Sequence, residues 1–302
     1  MTLLIGSLQL GLIYGLLALG IYITFRILNI PDLTADGSFT LGLAVSAVFT
    51  IAGHPVFGLL MATLAGTFAG SITGFLQTKM NIHPILAGII TMSGLYSVNL
   101  FIMGATSNIS LIGSDSIFTI LGNSLQEANH NTIKTIPSLV LSFGMFTLLS
   151  LFFKTHLGLS IRATGDNEDM VKASSINANT TKIIALAISN GCIGLSGAVI
   201  AQYQGFADIS SGTGTMITGL ASVIIGEVLF RRKASVIWSL LAAIIGSIIY
   251  RFIIALALSS SLFPAYMLKL VSAIIVAIAL SLPTIKNQRT FYKMKREAAK
   301  NA

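Results

Sequence analysis

The stretch LLIGSLQLGLIYGLLALGIYITF, residues 3–25, carries no charged side chain. A helix that crosses the hydrocarbon core of a bilayer needs about 20 predominantly apolar residues. This stretch therefore predicts a membrane-spanning helix. The first basic residue, Arg26, follows the apolar run rather than preceding it, which differs from a cleavable signal peptide. We expect the helix to remain in the mature protein.

The composition of the whole chain extends this interpretation. Of its 302 residues, 54% are hydrophobic and only 9% are charged, and the mean hydropathy is +0.86. A soluble domain has about 25% charged residues, so soluble enzymes and nucleic-acid-binding domains are excluded. The net charge of +8 does not indicate nucleic acid, because six of the eighteen basic residues lie between residues 286 and 302. The single cysteine, Cys192, lies in an apolar stretch and excludes an internal disulfide.

Apolar stretches of similar length recur along the chain and are separated by polar turns. They predict an all-α, polytopic membrane protein with about nine membrane-spanning helices in a single transmembrane domain over residues 1–302. The predicted spans are 3–25, 38–53, 56–78, 84–104, 136–153, 181–203, 214–230, 235–257 and 265–283. The second and seventh of these spans are short for a full crossing.

The basic residues predict the orientation, because they concentrate on the cytoplasmic side of membrane proteins. If residue 1 lies outside and the chain then alternates, fifteen basic residues fall inside and only Lys134 falls in an outer loop. We therefore expect the N-terminus outside. The C-terminus, with the tail 284–302, is then cytoplasmic.

Two junctions in the sequence resemble each other. Span 1 leads into PDLTADGS (31–38) and span 6 into FADISSGTG (206–214), and a short span follows each. If spans 1–4 correspond to spans 6–9, the odd offset inverts one half relative to the other. We therefore predict an inverted repeat with halves 3–104 and 181–283, as many transporters have. The alternative is that aspartate and serine simply cap two ordinary helices.

Interrupted helices in such repeats tend to face the substrate route. We therefore predict that polar residues of the two junctions line a pathway or gate, with helix capping as the alternative for the aspartates. These residues are Asp32, Asp36, Ser38, Asp208 and Ser210.

Three other ionisable residues, Glu227, Arg251 and Lys269, fall within predicted spans. Charges inside a bilayer are costly, so such residues are often functional. We expect Glu227 to form a local ion pair with the basic triplet 231–233. We expect Arg251 and Lys269 to extend their long side chains towards the outer interface, with docking of an external binding protein as the alternative.

The inner loop, residues 154–181, contains the stretch GLSIRATGDNEDMVKASSINAN (158–179). Asp166 is a candidate N-cap for a short helix with acidic residues in its first turn, and we expect Asn177 and Asn179 to end that helix. A short capped helix on the cytoplasmic face suits docking into the groove of a soluble partner. The alternative is a surface helix that only joins two spans.

Residues 158–168 (GLSIRATGDNE) with Ser175-Ile176-Asn177 resemble the coupling loop of bacterial ABC importer permeases of the branched-chain amino acid and ribose type. The stretches GLIYGLLALG (11–20) with DLTADGSF (32–39), and GLASVIIGE (219–227), resemble the subgroup linked to tryptophan or tyrosine uptake. Ser175 stands where the family usually has glycine. The resemblance covers nearly the whole chain.

This resemblance implies the permease subunit of an ATP-driven importer for a small solute, an aromatic or branched-chain amino acid. It implies a cytoplasmic ABC ATPase subunit, an extracytoplasmic substrate-binding protein and a second permease copy as partners, in the lipid of a bacterial plasma membrane. Asp166 would be the helix cap, and Met170 and Val171 the docking contacts. The ATPase-coupling residues carried over are Arg162, Gly165, Asp166, Asn167, Glu168, Met170, Val171, Ser174 and Ile176.

The sequence lacks the motifs of an enzyme. It contains no Gly-Lys dipeptide, hence no phosphate-binding G-x-x-x-x-G-K-[ST] loop, and its four histidines are scattered. We expect no catalytic residue, metal or cofactor in this chain, with ATP bound by a partner. The alternative function is an ion-coupled secondary transporter. Such carriers usually need a titratable or ion-ligating group near mid-membrane, and the sequence shows no carboxylate at that depth.

Overall fold

The computed structural model describes residues 2–124, 130–230 and 235–259, together with residues 270, 273–277 and 281. The long elements are all helices, which confirms the predicted all-α, polytopic class. The helices are α1 (Thr2–Ile21), α2 (Thr34–Ile51), α3 (Pro55–Thr78), α4 (Pro84–Ile102), α5 (Ile117–Ser124), α6 (His130–Phe152), α7 (His156–Asp166), α8 (Glu168–Ala173), α9 (Ala178–Gln204), α10 (Thr215–Phe230) and α11 (Val236–Ser259). A π-helical turn, Tyr22–Ile27, continues α1.

Seven helices of the described chain are long and apolar enough to cross a membrane. They are α1 with its π-helical turn, α2, α3, α4, α6, α9 and α11, and α10 is a shorter apolar helix. Each of the first eight predicted spans therefore contains a helix. The ninth predicted span, 265–283, lies mostly outside the described residues, and the tail 284–302 lies wholly outside them.

Helix α9 forms the centre of the bundle. Within its most apolar window 83% of the residues are buried, against 28% for α4 and 22% for α6. Helices α1, α2 and α3 pack around α9. The exposed faces of α4 and α6 carry large apolar side chains such as Phe101 and Leu151. We call the end of the bundle that carries α7 and α8 the inner end, and the opposite end the outer end.

Glycines on α3 let this helix approach α9 closely. A Cβ atom at Gly66 would lie 2.3 Å from the Asn190 carbonyl oxygen, and one at Gly70 would lie 2.2 Å from the Leu186 carbonyl oxygen. Helices gain little hydrophobic stabilisation from associating in lipid, so they depend on such close backbone contact. A larger side chain on this stripe would push the two helices apart.

Helix α2 begins at Thr34, before the predicted start of its span at residue 38. The sequence did not predict this start, because the segment Thr34-Ala35-Asp36-Gly37 lacks the hydropathy of a membrane helix. They are accommodated by hydrogen bonds inside the protein. Asp36 and Ser38 therefore lie within the helix and not in a break before it.

Two short strands pair at the outer end, which the sequence did not predict. Strand β1 (Asn108–Ser110) is antiparallel to β2 (Phe206–Asp208), with Asn108 opposite Asp208. This pairing fixes the loop after α4 to the chain that follows α9. Strands of three residues leave no alternation long enough to detect in a sequence.

Candidate functional site

The connection at the inner end consists of two helices, α7 and α8, rather than one. The Thr155 hydroxyl caps α7 by accepting a hydrogen bond from the Gly158 amide (3.3 Å). Asn167 is extended, with φ −158° and ψ 103°, and its side chain caps α8 by accepting from the Met170 amide (3.0 Å). Asp166 is instead the last residue of α7, so the expectation that it caps the short helix is wrong. An asparagine can adopt the extended cap conformation equally well.

The predicted end of the short helix is also corrected. Helix α8 ends at Ala173, and Asn177 begins the next helix by accepting from the Asn179 and Thr180 amides (3.1 and 3.2 Å). Ser175 between them has φ +61°. This left-handed conformation favours glycine, which agrees with the glycine that the resemblance leads us to expect at this position.

Three contacts attach α7 to the rest of the bundle. Gly165 lies against the π-helical turn so closely that a Cβ atom would lie 1.7 Å from the Ile27 carbonyl oxygen. Asn29 Nδ2 also donates a hydrogen bond to the Gly165 carbonyl oxygen (3.2 Å). On the other side, the Thr164 and Thr181 hydroxyls are 2.8 Å apart and join α7 to α9.

Glu168 attaches α8 to α9. Its carboxylate lies 2.5 Å from Lys182 Nζ and 3.0 Å from Lys172 Nζ. The hydrogen bond from Lys182, followed by that from Lys172, lowers the pKa of Glu168 below its ordinary value. The carboxylate is therefore ionised and held at neutral pH.

The predicted docking residues differ in exposure. Met170 is 63% exposed, whereas Val171 is 1% exposed. Val171 faces the protein, so it cannot be a docking contact, whereas Met170 offers a large exposed apolar side chain to a partner. Ser174 is exposed, and Arg162 and Ile176 are partly exposed.

Asp36 connects the two predicted junctions. Its Oδ2 atom accepts from the Gly214 amide (2.8 Å), and its Oδ1 atom accepts from the Met216 amide (2.8 Å) and the Thr215 hydroxyl (3.0 Å). These amides are the unpaired donors at the start of α10. Asp36 on α2 therefore caps a different helix, one that is remote in sequence.

A cavity of about 400 Å³ lies beside Asp36. Thr40, Ser93, Tyr96 and Asn99 also line it. Asn99 is 1% exposed, and its Nδ2 atom donates to the Gly37 carbonyl oxygen (3.3 Å), but its Oδ1 atom has no hydrogen-bond partner among the described residues. The cavity is therefore lined by a carboxylate, hydroxyl groups and an aromatic ring.

The other predicted gate residues lie elsewhere. Asp32 is buried, where it accepts from Asn190 Nδ2 (2.7 Å) and the Thr34 amide (2.9 Å). Asp208 lies at the outer end and accepts from the Ser210 amide (2.7 Å) and hydroxyl, which lowers the pKa of Asp208. Ser38 is fully buried in α2. Of the five predicted residues, the structure places only Asp36 on the cavity.

Two ionisable residues within spans differ from expectation. Glu227 pairs with Arg26, its Oε1 atom lying 2.5 Å from Arg26 Nε, while the triplet 231–233 lies outside the described residues. Arg251 does not extend to the interface. Its guanidinium carbon lies 3.5 Å from the centroid of the Tyr14 ring. Lys269 lies outside the described residues.

Sequence reasoning missed Asn99, Tyr96 and the cap Asn167. A search for amides inside apolar stretches would have found Asn99 and Asn190, because an amide in lipid is also costly. Only the three-dimensional pairing could reveal the Arg26–Glu227 contact. In the part of the chain that the structure describes, no group of three or more side chains is suited to hold a metal ion.

Known proteins resemble this chain over most of its length. Residues 3–280 match the family described as the permease component of the branched-chain amino acid transport system. A tyrosine transport system permease protein of Clostridioides difficile is 42% identical over 88% of this chain and 86% of its own. An uncharacterised protein of Rickettsia prowazekii is 35% identical over 93% of this chain and 98% of its own.

Relatives of lower sequence identity are named for other solutes. A ribose import permease protein of Haemophilus influenzae is 24% identical over 76% of this chain and 71% of its own. No solved structure matches the chain. The family match covers far more than half of the residues, and the chain therefore belongs to the branched-chain amino acid transport system permease family, as a membrane transport subunit and not an enzyme.

Proposed function

We propose that the chain is the membrane-spanning subunit of an ATP-driven importer, and that the α7–α8 connection is the docking site of a cytoplasmic ATPase subunit that binds the ATP. The observation that carries this proposal is the contrast within α8. Met170 is 63% exposed while Val171 beside it is buried. One face of the helix is therefore buried against the protein, and the other presents the large apolar side chain of Met170 to a partner.

Three contacts give a route by which movement of α8 would reach the membrane helices. Glu168 joins α8 to α9 through Lys182. Gly165 rests on the π-helical end of α1. From there, the Arg26–Glu227 ion pair joins α1 to the inner end of α10. A docked ATPase would thus act on α9, α1 and α10 together.

The solute route in this proposal passes the cavity beside Asp36. The cavity volume of about 400 Å³ suits a small solute such as an amino acid. Its polar groups and the Tyr96 ring suit an aromatic or branched-chain amino acid delivered by an extracytoplasmic binding protein. The tyrosine transport relative, at 42% identity, supports this substrate class.

The inverted repeat and a ninth membrane crossing also belong to the proposal. In an inverted repeat, equivalent interrupted helices meet near the membrane midplane. The hydrogen bonds from Gly214, Thr215 and Met216 to Asp36 bring the two matched junctions together. This contact supports the repeat more directly than the short sequence match does.

A second copy of the chain would complete the pathway in a bacterial plasma membrane. Tyr96, which lines the cavity, is 57% exposed, so one copy does not enclose the cavity. Lipid would cover the apolar faces of α4 and α6. The N-terminus would lie outside and the C-terminus in the cytoplasm.

Cysteine labelling tests the orientation, because the native Cys192 is only 2% exposed and gives little background. Met170→Cys should react with an impermeant maleimide only from the cytoplasmic side, and Ser110→Cys only from outside. The reverse pattern would overturn the assignment of the inner end to the cytoplasm. The measured mass of the purified complex tests the second copy.

The coupling proposal is tested by uptake of labelled L-tyrosine into vesicles that contain the chain, its ATPase and its binding protein. Met170→Asp should uncouple ATP hydrolysis from uptake. Met80→Asp is the matched control, because Met80 is also an exposed methionine at the inner end, 58% exposed. Normal coupled uptake by Met170→Asp would contradict the docking site. Uptake that persists without ATP but follows an ion gradient would instead support a secondary transporter.

A further inference from the structure

Arg251 is a cation deep in the membrane domain. Its guanidinium carbon lies 3.5 Å from the centroid of the Tyr14 ring, and Tyr14 lies near the middle of the candidate span Leu3–Ile27. At 1.5 Å per residue, Tyr14 is about 17 Å along the helix from Leu3. At that depth the charge is beyond the reach of lipid phosphate groups.

The charge of Arg251 is not neutralised by the part of the protein that the structure describes. The described ion pairs involve Arg26, Lys172 and Lys182, not Arg251. Arg251 Nε is buried and has no hydrogen-bond partner among the described residues. An ionised side chain at this depth is costly, and such residues mark substrate pathways in membrane proteins.

The stacking of Arg251 on Tyr14 determines in which directions the guanidinium can donate hydrogen bonds. A guanidinium that lies on an aromatic face is held by cation–π attraction. Its N–H groups point outwards in the guanidinium plane, and this fork matches the two oxygens of a carboxylate. Both Tyr14 and Arg251 are partly exposed, so a solute can approach them.

The Arg251–Tyr14 pair packs against α2, the helix that carries Asp36. The Tyr14 ring stacks on Phe39, with ring centroids 6.0 Å apart. Phe39 is fully buried and lies three residues after Asp36 on α2, hence on the same side of that helix. The rings of Tyr14 and Phe39 therefore lie between Arg251 and the helix that contributes Asp36 to the cavity.

We propose that Arg251, held on the Tyr14 ring, is a transit site that binds the carboxylate group of the transported solute. The inference rests on the proposed function, since it assumes that the chain carries a carboxylate-bearing solute such as an amino acid. It adds two points to that function. Arg251 is the residue that binds the solute, and a carboxylate is the chemical group that the solute must carry. A purely structural role for Arg251, as a link between α11 and α1, is the competing explanation.

The test uses the complete transporter in vesicles and measures maximal uptake of L-tyrosine together with ATP hydrolysis. Removing a charge-assisted hydrogen bond typically costs about tenfold or more, so Arg251→Gln should lower maximal uptake by about that factor. The concentration for half-maximal uptake should not change, because the binding protein sets it. ATP hydrolysis should continue, so that fewer solute molecules cross per ATP.

The matched control is Lys134→Gln. Lys134 also lies over an aromatic ring, 5.0 Å from the centroid of Tyr203, but near the outer end of α6. Its removal should leave maximal uptake unchanged. An equal loss in both variants would overturn the transit site, because it would show only that a cation–π contact had been lost.

Arg251→Lys keeps the positive charge, so it tests the proposal even if Arg251→Gln does not fold. This variant should melt at the wild-type temperature but lose several-fold of maximal uptake, because an ammonium group cannot bind a carboxylate through two parallel bonds. Wild-type uptake by Arg251→Lys would overturn the inference. An absence of L-tyrosine uptake by the wild type would instead contradict the proposed substrate class.

Discussion

The Nε atom of Arg26 lies 2.5 Å from Oε1 of Glu227, and this ion pair joins the inner ends of α1 and α10. The two residues are 201 positions apart in the chain. Arg26 belongs to the π-helical turn that also contacts α7 through Gly165. In the proposed importer, the pair is one of the contacts that would transmit movement between α1 and α10 at the end where an ATPase would dock.

Exchanging the charges of Arg26 and Glu227 should show whether uptake depends on the attraction between the two charges or on the particular residue at each position. Arg26→Glu and Glu227→Arg should each lower ATP-driven uptake, because each places like charges together. The double variant should recover by about twofold to fivefold over either single variant, which is the range expected of a partly exposed pair. Uptake by the double variant no higher than by the single variants would contradict the role of the pair.

The helices and the inner connection could be predicted from sequence because each depends on a local property. Apolar length located the seven helices that are long enough to cross a membrane and the shorter helix α10, and the polar composition of residues 154–181 located the connection between α6 and α9. Hydropathy fails at Thr34–Gly37, where the helix is polar yet buried. It fails because hydropathy measures transfer into lipid, whereas these residues are transferred into protein.

The site could be predicted only in part, because its contacts join residues remote in sequence. The sequence identifies Asp36 as a polar residue at a junction, but its partners at residues 214–216 depend on how the start of α2 packs against the start of α10. For the same reason Asp166 and Asn167 could not be distinguished. Both are good caps, and only the backbone, helical through Asp166 and extended at Asn167, shows which of them begins α8.

Asp36 should stabilise the start of α10. Asp36→Ala removes the acceptor for two amides and one hydroxyl, and loss of a helix cap costs about 0.5–2 kcal/mol. We expect a lower melting temperature in detergent and faster hydrogen exchange at Met216. Asp208→Ala is the control, because that carboxylate accepts only from its own turn and strand partner. Equal destabilisation by both changes would argue against a special role for Asp36.

The attachment of α8 to α9 should depend on pH. The pKa of Glu168 is lowered, chiefly by the hydrogen bond from Lys182, so the folded state favours the ionised carboxylate. Its stabilising contribution is therefore complete at neutral pH and decreases as the pH falls below about 4, near the ordinary pKa of glutamate. Protection of the α8 amides, corrected for the intrinsic exchange rate, should fall on acidification. In Glu168→Gln, protection should be lower at neutral pH and should lack this dependence.

Gly165 should be intolerant of any side chain. A Cβ atom there would lie 1.7 Å from the Ile27 carbonyl oxygen, and because the obstacle is backbone, either α7 or the π-helical turn must shift. Gly165→Ala should therefore lower uptake and weaken the coupling of ATP hydrolysis to uptake, although alanine favours helix more than glycine does by about 1 kcal/mol.

Gly94→Ala in α4 is the matched control for this change, because a Cβ atom at Gly94 meets nothing within 4 Å. Helix propensity alone would make both variants more stable than the wild type. The close contact of Gly165 with Ile27 instead predicts changes in melting temperature of opposite sign. Gly94→Ala should melt higher than the wild type, and Gly165→Ala should melt lower. If both variants melted higher and transported normally, α7 would not rest on α1 as closely as the structure places it. The proposed path of movement from the docking site through α1 would then have to be abandoned, and the links to α9, Glu168–Lys182 and Thr164–Thr181, would remain to carry the movement.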